Sequence, residues 1–175
     1  AYDFGLSEGK EIRASRGGIV STIISNKNVC GGSDHAGNAN FIVINHDDGT
    51  NTGYWHLKST TVAFGQEVNQ GDLIGYSGKT GYTFCSAHLH FRRSNNTSNY
   101  YSQTTSIYFQ EYPNVQLIVG NWYTSQNSGG SACGGSNVTF QNINLSGPVL
   151  CSASNSITFL PESNILPCNS EVIFK

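Results

Sequence analysis

The chain has 175 residues, of which 11% are charged and 37% hydrophobic, with a formal net charge of −2. That length allows one domain of ordinary size, or one of about 120 residues with a small appendage, and either can bury a real core. So few charges exclude nucleic acid and anionic membrane as main partners, since both need clustered Lys and Arg, and no apolar run reaches the roughly 18–20 residues that would insert into a bilayer.

After Tyr2-Asp3-Phe4-Gly5 and a polar turn, Gly17-Gly18 leads into Ile19-Val20-Ser21-Thr22-Ile23-Ile24. These β-branched residues, bounded by Gly and Asn, predict a strand. The loop 26–38, with Cys30-Gly31-Gly32 and His35, has no periodicity. Phe41-Ile42-Val43-Ile44 is the next strand, and His46-Asp47-Asp48-Gly49 turns it back on an Asp-Gly hairpin signal. Residues 52–57 return as one strand ending in Tyr54-Trp55-His56-Leu57. Then come the segment 62–68, the turn Asn69-Gln70-Gly71-Asp72 and a short strand, Leu73-Ile74-Gly75-Tyr76. Ser77-Gly78-Lys79-Thr80-Gly81 contains Gly-Lys-Thr, but its upstream glycine is off the phosphate-loop spacing and no helix follows, so it reads as a flexible rim. With no amphipathic helix of useful length, the chain is a β-rich domain built from hairpins.

The most informative stretch is Ser86-Ala87-His88-Leu89-His90-Phe91-Arg92. On a strand, His88 and His90 project from one face, roughly 6.5–7 Å apart, while Leu89 and Phe91 point to the other. Two imidazoles so spaced either share one ion or divide the work, one as ligand and one as acid/base; a pair of half-buried, hydrogen-bonded histidines is the plain alternative. Of the others, His46 reads as a turn residue, His35 as a solvated loop residue and Trp55 as core. Tyr54 and Tyr82 are candidates for contact with a peptide, against ordinary packing.

Five cysteines, Cys30, Cys85, Cys133, Cys151 and Cys168, contain no Cys-x-x-Cys. In an extracellular chain they read as disulfides with one left over, and Cys30 is expected to pair with Cys85 because both lie in loops flanking strands. Abundant Ser, Thr, Asn and Gly suit the same setting. The odd count, the absence of Met and a start directly on Ala1 are expected of a mature or truncated product.

Taken in order, Asp3-Phe4-Gly5, Gly18-Ile19-Val20, Ile44-Asn45-His46-Asp47-Asp48-Gly49, Tyr54-Trp55-His56-Leu57, the run Gly65 to Gly75, Gly78-Lys79-Thr80-Gly81 and His88-Leu89-His90-Phe91 resemble the lysostaphin/LytM-like zinc metallopeptidases over about the first 92 residues. Each fragment alone is weak; seven in register are specific. The resemblance implies Zn²⁺ held by the His and Asp of a His-x-x-x-Asp motif and by the second His of His-x-His. Asp3 and His90 match two of these metal ligands. The third, a His, would stand two places before Ala1, so the chain is expected to begin in mid-motif. The resemblance assigns acid/base catalysis to His56 and His88. Ser86-Ala87 departs from the family's usual Gly-Pro before His-x-His.

Beyond Arg93, residues 106–110 predict one more strand, 124–136 have linker composition, and Val138-Thr139-Phe140, Ser156-Ile157-Thr158-Phe159 and Glu171-Val172-Ile173-Phe174 repeat a short strand pattern. The expected organisation is a metallopeptidase domain at 1–123, a linker at 124–136 and a partial β-repeat module at 137–175. That module resembles stacked β modules of secreted bacterial proteins; a packing extension of the enzyme is the other reading. The fold class is therefore mainly β: an antiparallel sheet domain of the lysostaphin/LytM type with a small, incomplete β-rich C-terminal module. The resemblance implies a secreted, monomeric zinc endopeptidase acting on peptidoglycan peptides. The alternatives are an inactive relative that binds cell wall or activates a partner hydrolase, and an extracellular protease on Gly-rich proteins.

Overall fold

The computed structural model describes residues 1–95, 97, 99, 101, 103–109, 116–125, 138–143 and 156–157. Its strands are β1 (Tyr2–Gly5), β2 (Glu11–Arg13), β3 (Gly18–Ile24), β4 (Cys30–Gly31), β5 (Phe41–Asn45), β6 (Asn51–Trp55), β7 (Leu57–Thr60), β8 (Glu67–Val68), β9 (Leu73–Ser77), β10 (Gly81–Tyr82), β11 (His88–Ser94), β12 (Trp122–Ser125), β13 (Val138–Ile143) and β14 (Ser156–Ile157). One 3-10 helix spans Ser33–Asn38. An eight-stranded sheet runs β12-β13-β1-β11-β6-β5-β3-β8, a second sheet runs β14-β2-β9-β7, and β10 pairs with β4. Every pairing in the larger sheet is antiparallel. The mainly β, antiparallel architecture expected from the hairpin signals is what the chain adopts.

Register explains why the two faces of the larger sheet differ. Asp3 stands opposite His90, His90 opposite Trp55, and Trp55 opposite Phe41, so these four share one face. Offset by one residue, Phe4 opposes Leu89 and Phe91 opposes Tyr54, on the other face. The latter face packs with Ile12, Leu57 and Ile74 of the second sheet in the main core. Trp55, Phe41, Val43 and Ala39 form a smaller cluster, with Trp55 stacked on Phe41 at 5.0 Å.

Several local expectations change. The run 52–57 is two strands, because the chain leaves the larger sheet after Trp55 and joins the second at Leu57; His56 makes the corner at φ 67°. Ser77-Gly78-Lys79-Thr80-Gly81 is no flexible rim, since all of it but Lys79 is buried. Residues 106–109 form no strand, yet Ile107 and Phe109 are buried, and Phe109 lies 5.4 Å from Tyr2 and 6.1 Å from Phe4, ring to ring. Alternating apolar residues there satisfy the core without joining a named strand. His46 does sit at the turn, accepting the Gly49 N–H and bonding Thr50, but it is buried.

That burial is supported by a chain of polar groups. His46 Nδ1–H donates to the Gly17 carbonyl at 2.8 Å, which leaves Nε2 to accept from Thr52 Oγ1 at 3.0 Å. Thr52 Oγ1 lies 3.2 Å from the Tyr54 hydroxyl, which accepts the Ser15 N–H at 2.8 Å. Tyr54 is therefore a packed, fully buried residue and contacts no peptide. The expected Cys30–Cys85 disulfide is present, joining β4 to the approach of β11. Cys133, Cys151, Cys168, the span 126–137 and the third repeat, 171–174, lie outside the described residues. β13 and β14 add to β1 and β2 respectively.

Candidate active site

β1 and β11 bring Asp3 and His90 together: Asp3 Oδ1 accepts from His90 Nδ1 at 2.7 Å. His88, two residues earlier on the same face, is fully buried, and its Nε2 lies 4.0 Å from that same carboxylate oxygen. The His88 Nδ1–H donates to the Ser86 carbonyl at 3.0 Å, while Nε2 has no hydrogen-bond partner among the described residues. His56 joins from its corner, its ring 4.6 Å from that of His88 and 6.0 Å from that of His90. Its Nδ1–H donates to the Thr80 carbonyl at 2.7 Å. Both His56 and His88 are thus held as tautomers whose remaining nitrogen, Nε2, is an acceptor.

Electrostatics agree with that arrangement. Burial, with the neighbouring His88 adding, pushes His56 down to about 3. Burial likewise lowers His88, against the opposing pull of the Ser86 carbonyl and of Asp3. For Asp3, burial raises the carboxyl, but the hydrogen bond and charge of His90, with His88 and His56 behind them, outweigh it and hold Asp3 below its ordinary value. One ionised carboxylate therefore faces two neutral bases.

The four residues singled out from the sequence meet here. His35 does not: it bonds to Asn38 and faces Asp34 in the 3-10 helix. Tyr82 stands on the rim, 43% exposed, edge-on at 5.2 Å to Phe84, which is 66% exposed. Phe84 escaped the sequence reading; its only signal is a bulky apolar residue in a turn with no alternation around it. Phe84 and Cys85 have φ of 48° and 59°, so the disulfide-tied loop leading to His88 is as unusual in backbone as His56. Thr80 and Asn40 were also missed, because their roles depend on partners far away in sequence.

Among the described residues, no three His, Cys, Asp or Glu side chains are grouped to hold a metal ion. The donor types do suit zinc. Asp3 offers a carboxylate and His90 an imidazole nitrogen, and the orphaned buried Nε2 of His88 stands beside them as a base for a metal-bound water.

A carboxylate and neutral imidazoles gathered on one face of an antiparallel sheet are the equipment of a hydrolase. Residues 1–102 match the model described as Peptidase family M23, which covers more than half of the chain, and the chain belongs to that family. It is 37% identical over 94 residues to lysostaphin of Staphylococcus simulans, a match covering 53% of this chain and 19% of the relative. It is 34% identical over 89 residues to the peptidoglycan DD-endopeptidase ShyA of Vibrio cholerae, covering 51% and 18%. The chain thus spans about a fifth of the length of these relatives. The solved catalytic domain of the antimicrobial peptidase lysostaphin from Staphylococcus simulans is 33% identical, over 54% of this chain and 65% of that one, with a TM-score of 0.45.

Proposed function

We propose that this chain is the catalytic part of a secreted, monomeric, zinc-dependent endopeptidase that hydrolyses peptide bonds of bacterial peptidoglycan, in the stem peptide or its cross-bridge. The observation that carries the reading is the 2.7 Å approach of His90 Nδ1 to Asp3 Oδ1, with the unpartnered His88 Nε2 at 4.0 Å from the same oxygen. Asp3 and His90 are the metal ligands, completed by a His supplied from upstream of Ala1. When bound, Zn²⁺ polarises the scissile carbonyl and lowers the pKa of water towards about 7. His56 and His88, each with Nε2 free to accept, take the proton of the attacking water and return one to the leaving amine. The cell-wall relatives favour peptidoglycan as the substrate, and the Cys30–Cys85 disulfide favours an oxidising compartment. We also propose the peptidase domain at 1–123, followed by a linker and a partial β module.

A second reading is a non-catalytic relative that binds cell wall or activates a partner hydrolase. Elemental analysis decides between them, on the encoded protein with any residues upstream of Ala1 and on its His90→Ala variant. Stoichiometric zinc that is lost in the variant, together with digestion of purified peptidoglycan, supports the enzyme. A folded protein without zinc supports the binding module.

A further inference from the structure

His56 turns the chain from one sheet into the other in a left-handed conformation that residues with a Cβ avoid. A non-glycine residue persists there only where its surroundings over-determine it. Asn40, fully buried, supplies much of that constraint. Its backbone carbonyl accepts the Leu57 N–H at 3.1 Å, and its Nδ2 donates to the Leu57 carbonyl, also at 3.1 Å. Its Oδ1 accepts the Lys27 N–H at 2.8 Å while Nδ2 also donates to the Lys27 carbonyl at 2.9 Å. Its own N–H donates to Thr80 Oγ1 at 2.9 Å, and that hydroxyl passes its proton-bearing side to the Leu57 carbonyl at 3.0 Å.

Thr80 closes the circuit, since its carbonyl is the acceptor for His56 Nδ1 at 2.7 Å. The residue after His56 and the acceptor for its ring are therefore held by the same two residues, through backbone and side-chain groups together. We propose that Asn40 and Thr80 are positioning residues, which hold His56 at its corner and lock its ring as the Nδ1–H tautomer, keeping Nε2 as the proton acceptor. The kinetic consequence rests on the functional reading above; the tautomer does not.

Thr80→Val keeps the shape and the carbonyl but removes the hydroxyl, whereas Thr80→Ser keeps it. Asn40→Asp preserves size but sets a carboxylate oxygen against the Leu57 and Lys27 carbonyls. Long-range ¹H–¹⁵N NMR of the imidazoles reads the His56 tautomer directly in metal-free protein. Wild type and Thr80→Ser are expected to show the Nδ1–H form alone, and Thr80→Val and Asn40→Asp a mixture with Nε2–H. With the zinc-loaded enzyme and a peptidoglycan peptide, kcat is expected to fall about 10- to 100-fold in Thr80→Val, with KM within about twofold, and to recover in Thr80→Ser. An unmixed Nδ1–H signal in both Thr80→Val and Asn40→Asp overturns the proposal. So does a kcat loss no larger than the unfolded fraction seen by circular dichroism. If wild type cuts no peptide, the functional reading fails and the NMR spectra still decide this one.

Discussion

Asp3 and His90 stand 87 positions apart in sequence but are register partners on neighbouring antiparallel strands, their side chains 2.7 Å apart. The contact depends on strand pairing and not on a local turn. Asp3→Asn keeps the size of the side chain while removing its charge. The variant is expected to fold normally by circular dichroism but to lose stoichiometric zinc after dialysis, because an amide oxygen is a much poorer ligand for Zn²⁺ than a carboxylate. Full zinc content in Asp3→Asn would remove Asp3 from the ligand set.

His88→Ala separates the acid/base role from the ligand role. With His88 acting on protons, kcat falls by about 10²- to 10⁴-fold while zinc content is retained. His56→Ala is expected to behave alike. Loss of the metal along with the activity would reassign His88 as a ligand.

The Cys30–Cys85 disulfide closes a loop of 55 positions and ties the approach of β11 to β4. Replacing both cysteines with serine is expected to lower stability by roughly 2–4 kcal/mol, read from urea unfolding midpoints. Thr83 and Phe84 still donate to the Gly31 carbonyl without it, so the loop keeps its position on average while opening more often. Hydrogen exchange faster at 83–86 than in β5 would mark that opening.

The polar chain through His46 makes stability depend on pH. Burial pushes His46 down to about 4 in the folded chain, whereas its unfolded value is the ordinary 6.5. Between those values the unfolded chain binds more protons. The His46 contribution is therefore at its full value above about 6.5 and declines as pH falls towards 4, by on the order of 3 kcal/mol. Asp48 does not blur this window. Burial works against its charge, but Thr50 and Arg16 hold its carboxyl well below the usual carboxylate range, so its contribution is lost only at still lower pH. His56 and His88, which burial also lowers, add a slope of the same sign, so His46→Gln is expected to reduce the slope between pH 4 and 6.5 in urea titrations without abolishing it. An unchanged slope would show that another group carries it.

What could be read from the sequence was what local chemistry determines. The β-branched runs at 19–24 and 41–44, the Asp-Gly turn and the shared face of His88 and His90 each follow from a few adjacent residues. The break at His56 was invisible, because Tyr54-Trp55-His56-Leu57 has strand propensity throughout and only the departure of the chain to another sheet divides it. Phe109 looked like part of a strand because its neighbours alternate, yet what places it is the aromatic surface of Tyr2 and Phe4. Asn40 carried no signal at all. Its partners Lys27, Leu57 and Thr80 lie 13, 17 and 40 positions away. Asp3 could be picked out only by resemblance, since alone it is one acidic residue near a chain end.

The packing of Phe109 has a practical side. The family match stops at residue 102, but Ile107, Phe109 and Leu117 complete the core over Tyr2 and Phe4, on the strand that carries Asp3. The portion recognisable by descent is shorter than the portion that keeps water out. Anyone grafting residues 1–102 onto another carrier would transplant the chemical groups without their roof, leaving two aromatic rings wet and the strand beneath Asp3 loosened.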